Sequence, residues 1–216
     1  MRVLLAGYAA DRYISQHRHI AKTIEQKVLQ MNKAPTIAHD NAPSLTPLVT
    51  LLADDMEQVN AQIVARMASD VPLVPELAGH LIAAGGKRLR PLLTLAGARL
   101  AGGSPHAIGL ATAVEFIHSA TLLHDDVIDE SKLRRGHDTA NALWGNDASV
   151  LVGEFVVARA FGLMGETGSL SILGRRSNAS ARITEGEIKQ MTIAGVADTP
   201  AADYLDVIRN KTAILF

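Results

Sequence analysis

Three carboxylates within five residues, Asp125, Asp126 and Asp129, are the group in this chain best suited to chemistry. On a helix, Asp125 and Asp129 lean over the same turn with Asp126 beside them. Like charges held this close need a cation or protons, and hard divalent ions such as Mg²⁺ prefer carboxylate oxygens, often bridging to phosphates. His118 lies two turns before Asp125 on nearly the same face, and Arg134 and Arg135 follow Asp129. Acids and paired guanidinia at one helix end suit a metal-bridged polyphosphate, because Arg grips phosphate oxygens bidentately. The plainer alternative is a solvated acidic face, the commoner meaning of acids on a helix.

A second polar group is Gly85-Gly86-Lys87-Arg88-Leu89-Arg90-Pro91. Two glycines leave backbone amides open to close approach, and Pro91 fits a first helical turn. Lys87 and Arg90 are three apart, so both can face one anion near a helix N-terminus. A merely basic helix start is the competing reading, although helix N-termini favour acids.

These groups need helices to position them. Thr46-Pro47 starts an amphipathic helix whose stripe runs through Leu48, Leu52, Met56, Val59, Ile63 and Met67, and Asp70 and Pro72 stop it. A short apolar unit follows from Pro75 to Ala84, then a helix containing Pro91 to Leu100. Ser104-Pro105 begins a long helix with no breaker before Gly136, and it carries the three aspartates. Asp147 to Met164 and Ser169 to Ala194 read as further helices, the second interrupted at Gly174-Arg175-Arg176. Thr199-Pro200 caps a last helix that reaches Lys211-Thr212 and is still apolar at Phe216. Period-two alternation is nearly absent, so the expected fold is all-α, helix packed on helix.

Composition agrees. Hydrophobic residues are 48% of the 216 but aromatics only 4%, which suits packed helices better than a sandwich. A net charge of −1 gives no reason to expect nucleic acid or an anionic membrane surface as partner. The chain has no cysteine, hence no disulfide framework and no thiolate chemistry, which is compatible with a cytoplasmic setting. No apolar run is expected to span a membrane. Residues 1–44 read as an N-terminal extension, with a weak signal-peptide outline at its start, and residues 45–216 as the helical domain.

GGKRLRP, HSATLLHDDVIDES and the following RRG resemble the all-trans polyprenyl diphosphate synthases, most closely the octaprenyl and decaprenyl type. NASARITEGEIKQ and the terminal KTA extend the likeness over roughly Thr46 to Phe216. The resemblance implies an antiparallel helix bundle of the isoprenoid synthase type. It implies that Lys87, Arg90 and His118 hold isopentenyl diphosphate. Asp125 and Asp129, with Asp126 ranked below them, hold Mg²⁺ bridging to an allylic prenyl diphosphate. Arg134 falls where the family meets the allylic diphosphate and Arg135 where it meets isopentenyl diphosphate. Lys211 and Thr212 match a pair flanking the allylic end, and Gln190 lies in a matching motif without an assigned role.

The mechanism implied is electrostatic. The allylic C–O bond ionises, the cation is attacked by the double bond of isopentenyl diphosphate, and proton loss leaves an alkene one C5 unit longer. Water must be excluded, which suits an apolar wall. In the family, bulky aromatics one turn above the aspartates close the product tunnel early. Here Ala120 and Thr121 stand there, so a long product of the kind attached to quinones, ubiquinone among them, is expected.

The family's second aspartate-rich motif does not occur in these residues, so the bundle is expected to lack its last helices. The chain is then the N-terminal part of a prenyltransferase with impaired activity, or a non-catalytic or regulatory subunit of a synthase complex. A terpene cyclase is a third choice, but it would not need Lys87, Arg90 and His118. A homodimer is expected from the family's habit, and pairing with another synthase chain from the apolar face that an unclosed bundle would expose.

Overall fold

The computed structural model describes residues 44–83 and 86–216. The extension expected over 1–44 lies outside them except for Ser44, and so does Gly85. Among the described residues the α-helices are α1 Thr46–Leu51, α2 Ala53–Arg66, α3 Leu73–Ala83, α4 Leu89–Leu100, α5 Ala107–Ile128, α6 Ala140–Trp144, α7 Asn146–Gly165, α8 Leu170–Ile193 and α9 Ala201–Lys211. A 3₁₀ turn follows at Ala213–Leu215, and a two-residue hairpin, β1 Leu133–Arg134 with β2 His137–Asp138, interrupts an otherwise all-α bundle.

The bundle is built around α5. Every residue from Ala111 to Ile117 is buried, as expected of a helix that is apolar all round. It packs on α7 above all, and on α4 and α2. Leu92, Leu95, Val114, Phe116, Ile117, Leu123, Val152, Val156 and Leu163 form the core they share. At the α5–α7 crossing Ser149 Oγ donates to Leu123 O at 3.1 Å, and a Cβ on Gly153 would lie 2.3 Å from His124 Nε2. By length and composition α5 and α7 could cross a bilayer, contrary to the expectation from apolar runs. Half of the apolar window of α5 and 39% of that of α7 are buried within the bundle.

Several boundaries differ from those expected. The first stripe breaks at Leu52, between α1 and α2, which periodicity misses because Leu48, Leu52 and Met56 stay on one side of both helices. The helix expected to run from Ser104 to Gly136 starts later and ends earlier. Its N-cap is His106, whose N–H donates to Ser104 Oγ at 3.2 Å, and its C-cap is Asp129. Glu130, at φ 50°, then turns the chain into the hairpin. Gly174-Arg175-Arg176 does not interrupt α8, since one helical glycine costs only about 1 kcal/mol. Arg176 is half-buried there, and burial lowers its pKa. Thr199 does not cap α9 either: its hydroxyl donates to Val196 O at 2.7 Å and Pro200 takes the cap position.

Candidate functional site

The loop before α4 supplies cations. Arg88 is its turning point, left-handed at φ 48° and ψ 33°, and the N-cap of α4. Its guanidinium folds inward onto Glu115 of α5, the two side chains being 13% and 8% exposed. Lys87 is exposed and Arg90 half-buried. These residues, with Gly86, His118, Ser119, Leu122 and Arg135, line a cavity of about 520 Å³. The expected partners Lys87, Arg90, His118 and Arg135 are thus brought together.

Burial lowers the pKa of Arg90, with Glu115 opposing. The Arg90 guanidinium also lies 4.6 Å from the ring centroid of Phe216, a cation–π distance. Burial first, then the charge of Arg90, pushes His118 down to about 4, with Arg135 and Arg88 adding and Glu115 opposing. His118 is therefore neutral near pH 7 in the ligand-free fold.

The hairpin positions the two arginines differently. Arg135 and Gly136 both have positive φ, 53° and 81°, which a two-residue hairpin turn requires. The pairing of Arg134 with His137 closes the turn. Arg135 reaches back over Gly86, where a Cβ would lie 3.1 Å from its Nη1. Arg134 turns the other way. Its Nε donates to Asp126 Oδ2 at 2.9 Å and its Nη2 to Asp126 Oδ1 at 2.7 Å. The hydrogen bond and charge of Asp126 raise the pKa of Arg134 despite its burial.

The three aspartates accordingly part company. Asp126, expected beside Asp125 and Asp129 as a metal ligand, is 5% exposed and both its oxygens accept hydrogen bonds from Arg134. Arg134, expected to meet the allylic diphosphate, is engaged by that carboxylate. Asn141 secures the same corner, its Nδ2 donating to Asp126 O at 3.1 Å.

Asp125 belongs to an acidic group that the sequence only half revealed. Burial first, then the charge of Glu187 on α8, raises its carboxyl to about 6, with Asp129 adding and Lys211 and Arg134 opposing. Lys211 Nζ donates to Glu187 Oε2 at 2.6 Å and lies 3.6 Å from Asp125 Oδ2. Burial lowers the pKa of Lys211, but the hydrogen bond to Glu187 and the charge of Asp125 outweigh it and the net shift is upward. Lys211 and Thr212 border a second cavity of about 570 Å³, with Gln190, Tyr204 and Ile208.

Among the described residues no three acids or histidines stand close enough to cage an ion. The donors still fit one. Magnesium keeps several waters and typically takes one or two carboxylates plus substrate phosphate, which Asp125 and Asp129 can provide. On α5, His118, Leu122, Asp125 and Asp129 fall within one narrow stripe, because steps of four, seven and eleven return near the starting angle. The face that borders the cation-lined cavity therefore continues to these two acids.

Arg88, Glu115, Gly186 and Glu187 were missed as site residues. A glutamate inside the apolar run Ala-Val-Glu-Phe-Ile was the available signal for a buried ion pair.

A polyprenyl synthetase family model matches residues 71–216, starting later than the Thr46 suggested by the motifs. The chain is 47% identical over 175 residues to the octaprenyl diphosphate synthase of Haemophilus influenzae, covering 80% of this chain and 53% of the relative. Its fold is similar to a decaprenyl diphosphate synthase from Rhodobacter capsulatus, at 55% identity and a TM-score of 0.78, over 80% of this chain and 54% of that one. It is also similar to a polyprenyl synthase from Caulobacter crescentus complexed with calcium and isoprenyl diphosphate, at 53% identity and a TM-score of 0.79, over 82% and 55%. The chain thus spans about half the length of the curated relatives it matches. With the cation loop before α4, the aspartates closing α5 and the all-α bundle that holds them, the chain belongs to the polyprenyl synthetase family.

Proposed function

We propose that this chain is part of a prenyltransferase that adds isopentenyl diphosphate to an allylic prenyl diphosphate, making a long all-trans polyprenyl diphosphate of the kind that becomes a quinone side chain. The observation that carries this is the continuous α5 face that borders a cavity lined by Lys87, Arg90, His118 and Arg135 and then presents Asp125 and Asp129. Two diphosphates need two charged cradles of opposite construction, one built of cations and one of acids with a divalent ion between.

In this reading Lys87, Arg90 and Arg135 bind the diphosphate of isopentenyl diphosphate, and neutral His118 orients it by hydrogen bonding. Asp125 and Asp129 would hold magnesium, which would supply Lewis-acid charge to a departing diphosphate. Lys211 and Thr212 sit at the allylic end. Asp126 keeps Arg134 and the hairpin in place, and with them Arg135. The residues packed behind the acids, among them Ala120 and Leu123, keep water from the reacting carbon. The absence of cysteine is compatible with a cytoplasmic setting.

A second reading is a chain that works only with another synthase subunit, as a homodimer or a heteromer. What favours it is the likeness, at 36% identity, to a protein named heptaprenyl diphosphate synthase component 2 from Geobacillus stearothermophilus. One assay separates the readings: Mg²⁺, isopentenyl diphosphate and farnesyl diphosphate with this chain alone, and with a complete synthase added. Elongation beyond C15 by the chain alone supports the first reading, and a change in the added synthase's rate or product supports the second. Folded protein that leaves the added synthase unchanged overturns the second reading, and folded protein that binds neither diphosphate in the presence of Mg²⁺ overturns the first.

A further inference from the structure

We infer that Glu115 is a positioning residue for the cation loop before α4: through its ion pair with Arg88 it aims Lys87 and Arg90 at the isopentenyl diphosphate site. This rests on the proposed function above.

Arg88 occupies a backbone region that L-residues avoid, at a cost of about 1 kcal/mol, and no side-chain cap supports it. The buried pair with Glu115, 27 residues away, supplies the compensation. The left-handed turn sends Arg88 inward while its neighbours Lys87 and Arg90 remain to line the cavity. Glu115 is also the anion among Lys87, Arg88, Arg90, His118 and Arg135 around that cavity. It occupies one guanidinium and leaves the others for a ligand. Both members of the pair also line a small cavity of about 20 Å³ with Ser119 and Phe116, room for one water, and Arg88 Nε has no protein partner. Breaking the pair would free Arg88 to swing toward the anion's place and release the strained turn.

Electrostatics alone makes the opposite prediction. Neutralising an acid inside a cation cluster should tighten anion binding. Positioning predicts weaker binding, so the sign decides.

The experiment measures binding of isopentenyl diphosphate and of farnesyl diphosphate with Mg²⁺, by titration calorimetry, to the chain and its Glu115→Gln and Glu115→Asp variants. We expect Glu115→Gln to weaken isopentenyl diphosphate about tenfold, as loss of one charged hydrogen bond would, with farnesyl diphosphate changed less than about twofold. Glu115→Asp, which keeps the charge, recovers most of the loss. Unchanged or tighter isopentenyl diphosphate binding overturns the inference, and so does equal weakening of both ligands, which marks a purely structural role. If Glu115→Gln gives no helical circular dichroism, Arg88→Lys replaces it: this variant keeps every charge but loses the guanidinium geometry, so weaker isopentenyl diphosphate binding with farnesyl diphosphate unchanged supports positioning, and unchanged binding of isopentenyl diphosphate overturns it. Wild-type chain that binds neither ligand defeats the proposed function itself, and the inference with it.

Discussion

Gly186 on α8 lies directly against the backbone of Lys211 at the end of α9: a Cβ on Gly186 would stand 2.7 Å from Lys211 N and 3.0 Å from Asn210 Cβ. This contact sets how closely the two helices cross. It thereby sets the reach of Lys211 Nζ to Glu187 at 2.6 Å and Asp125 at 3.6 Å. The neighbouring Asn210 is held as well, its Oδ1 accepting from Arg182 Nη2 at 3.0 Å.

Gly186→Ala should therefore destabilise the fold. Alanine gains about 1 kcal/mol in helix propensity, but the clash is with backbone and forces the helices apart, at about 1–3 kcal/mol. We expect a lower thermal midpoint by circular dichroism and weaker farnesyl diphosphate binding as Lys211 moves away. An alanine variant as stable as the wild type would contradict the close crossing.

Asp125 and Asp126 should respond oppositely to the same change. Asp126→Asn leaves the Arg134 guanidinium without its carboxylate and should cost about 2 kcal/mol, less than breaking a fully buried pair because Arg134 is 29% exposed. Asp125→Asn removes a charge crowded by Glu187 and Asp129 and should not lower the melting temperature. With Mg²⁺ and pyrophosphate added, the wild type and Asp126→Asn should gain stability by mass action, while Asp125→Asn gains little. Differential scanning fluorimetry of the three proteins, with and without ligand, reads both effects.

His118 makes stability depend on pH in one direction. Its folded pKa is about 4 and its ordinary value 6.5, so between these the unfolded chain binds more protons. Its contribution is complete above about pH 6.5 and is lost as pH falls toward 4. His118→Gln should flatten that part of the stability profile, measured by urea unfolding at pH 7, 6 and 5. A His118→Gln profile parallel to wild type would show the imidazole to be charged or exposed in the fold.

The position that tests product length is Thr121, not Ala120. Ala120 is fully buried in the core, so Ala120→Phe overpacks it and should cost about 1–3 kcal/mol. Thr121 is half-buried on the helix face that carries Asp125, its hydroxyl donating to His118 O at 2.8 Å. In an assay that gives elongation, Thr121→Phe should shorten the product at little cost in thermal midpoint, with chain length read by thin-layer chromatography. An unshortened product would place the growing tail elsewhere.

What the amino-acid sequence by itself determined was local. Periods of three and four residues marked the helices, and fixed helical steps aligned His118, Asp125 and Asp129, because a helix converts spacing into direction without help from the rest of the chain. The pairing of Lys87 with Arg90 was legible for the same reason, as was a first helical turn that holds Pro91. Tertiary structure decided which charges stay available. Asp126 and Arg134 are eight residues apart, yet only the hairpin, with left-handed Glu130 and Arg135, folds one back on the other. Arg88 meets Glu115, and Lys211 meets Glu187 and Asp125, across helices whose separation no spacing rule encodes. Charge interactions act through space and fall off with distance, so an acid's role as ligand or anchor depends on which cation the packing brings within reach.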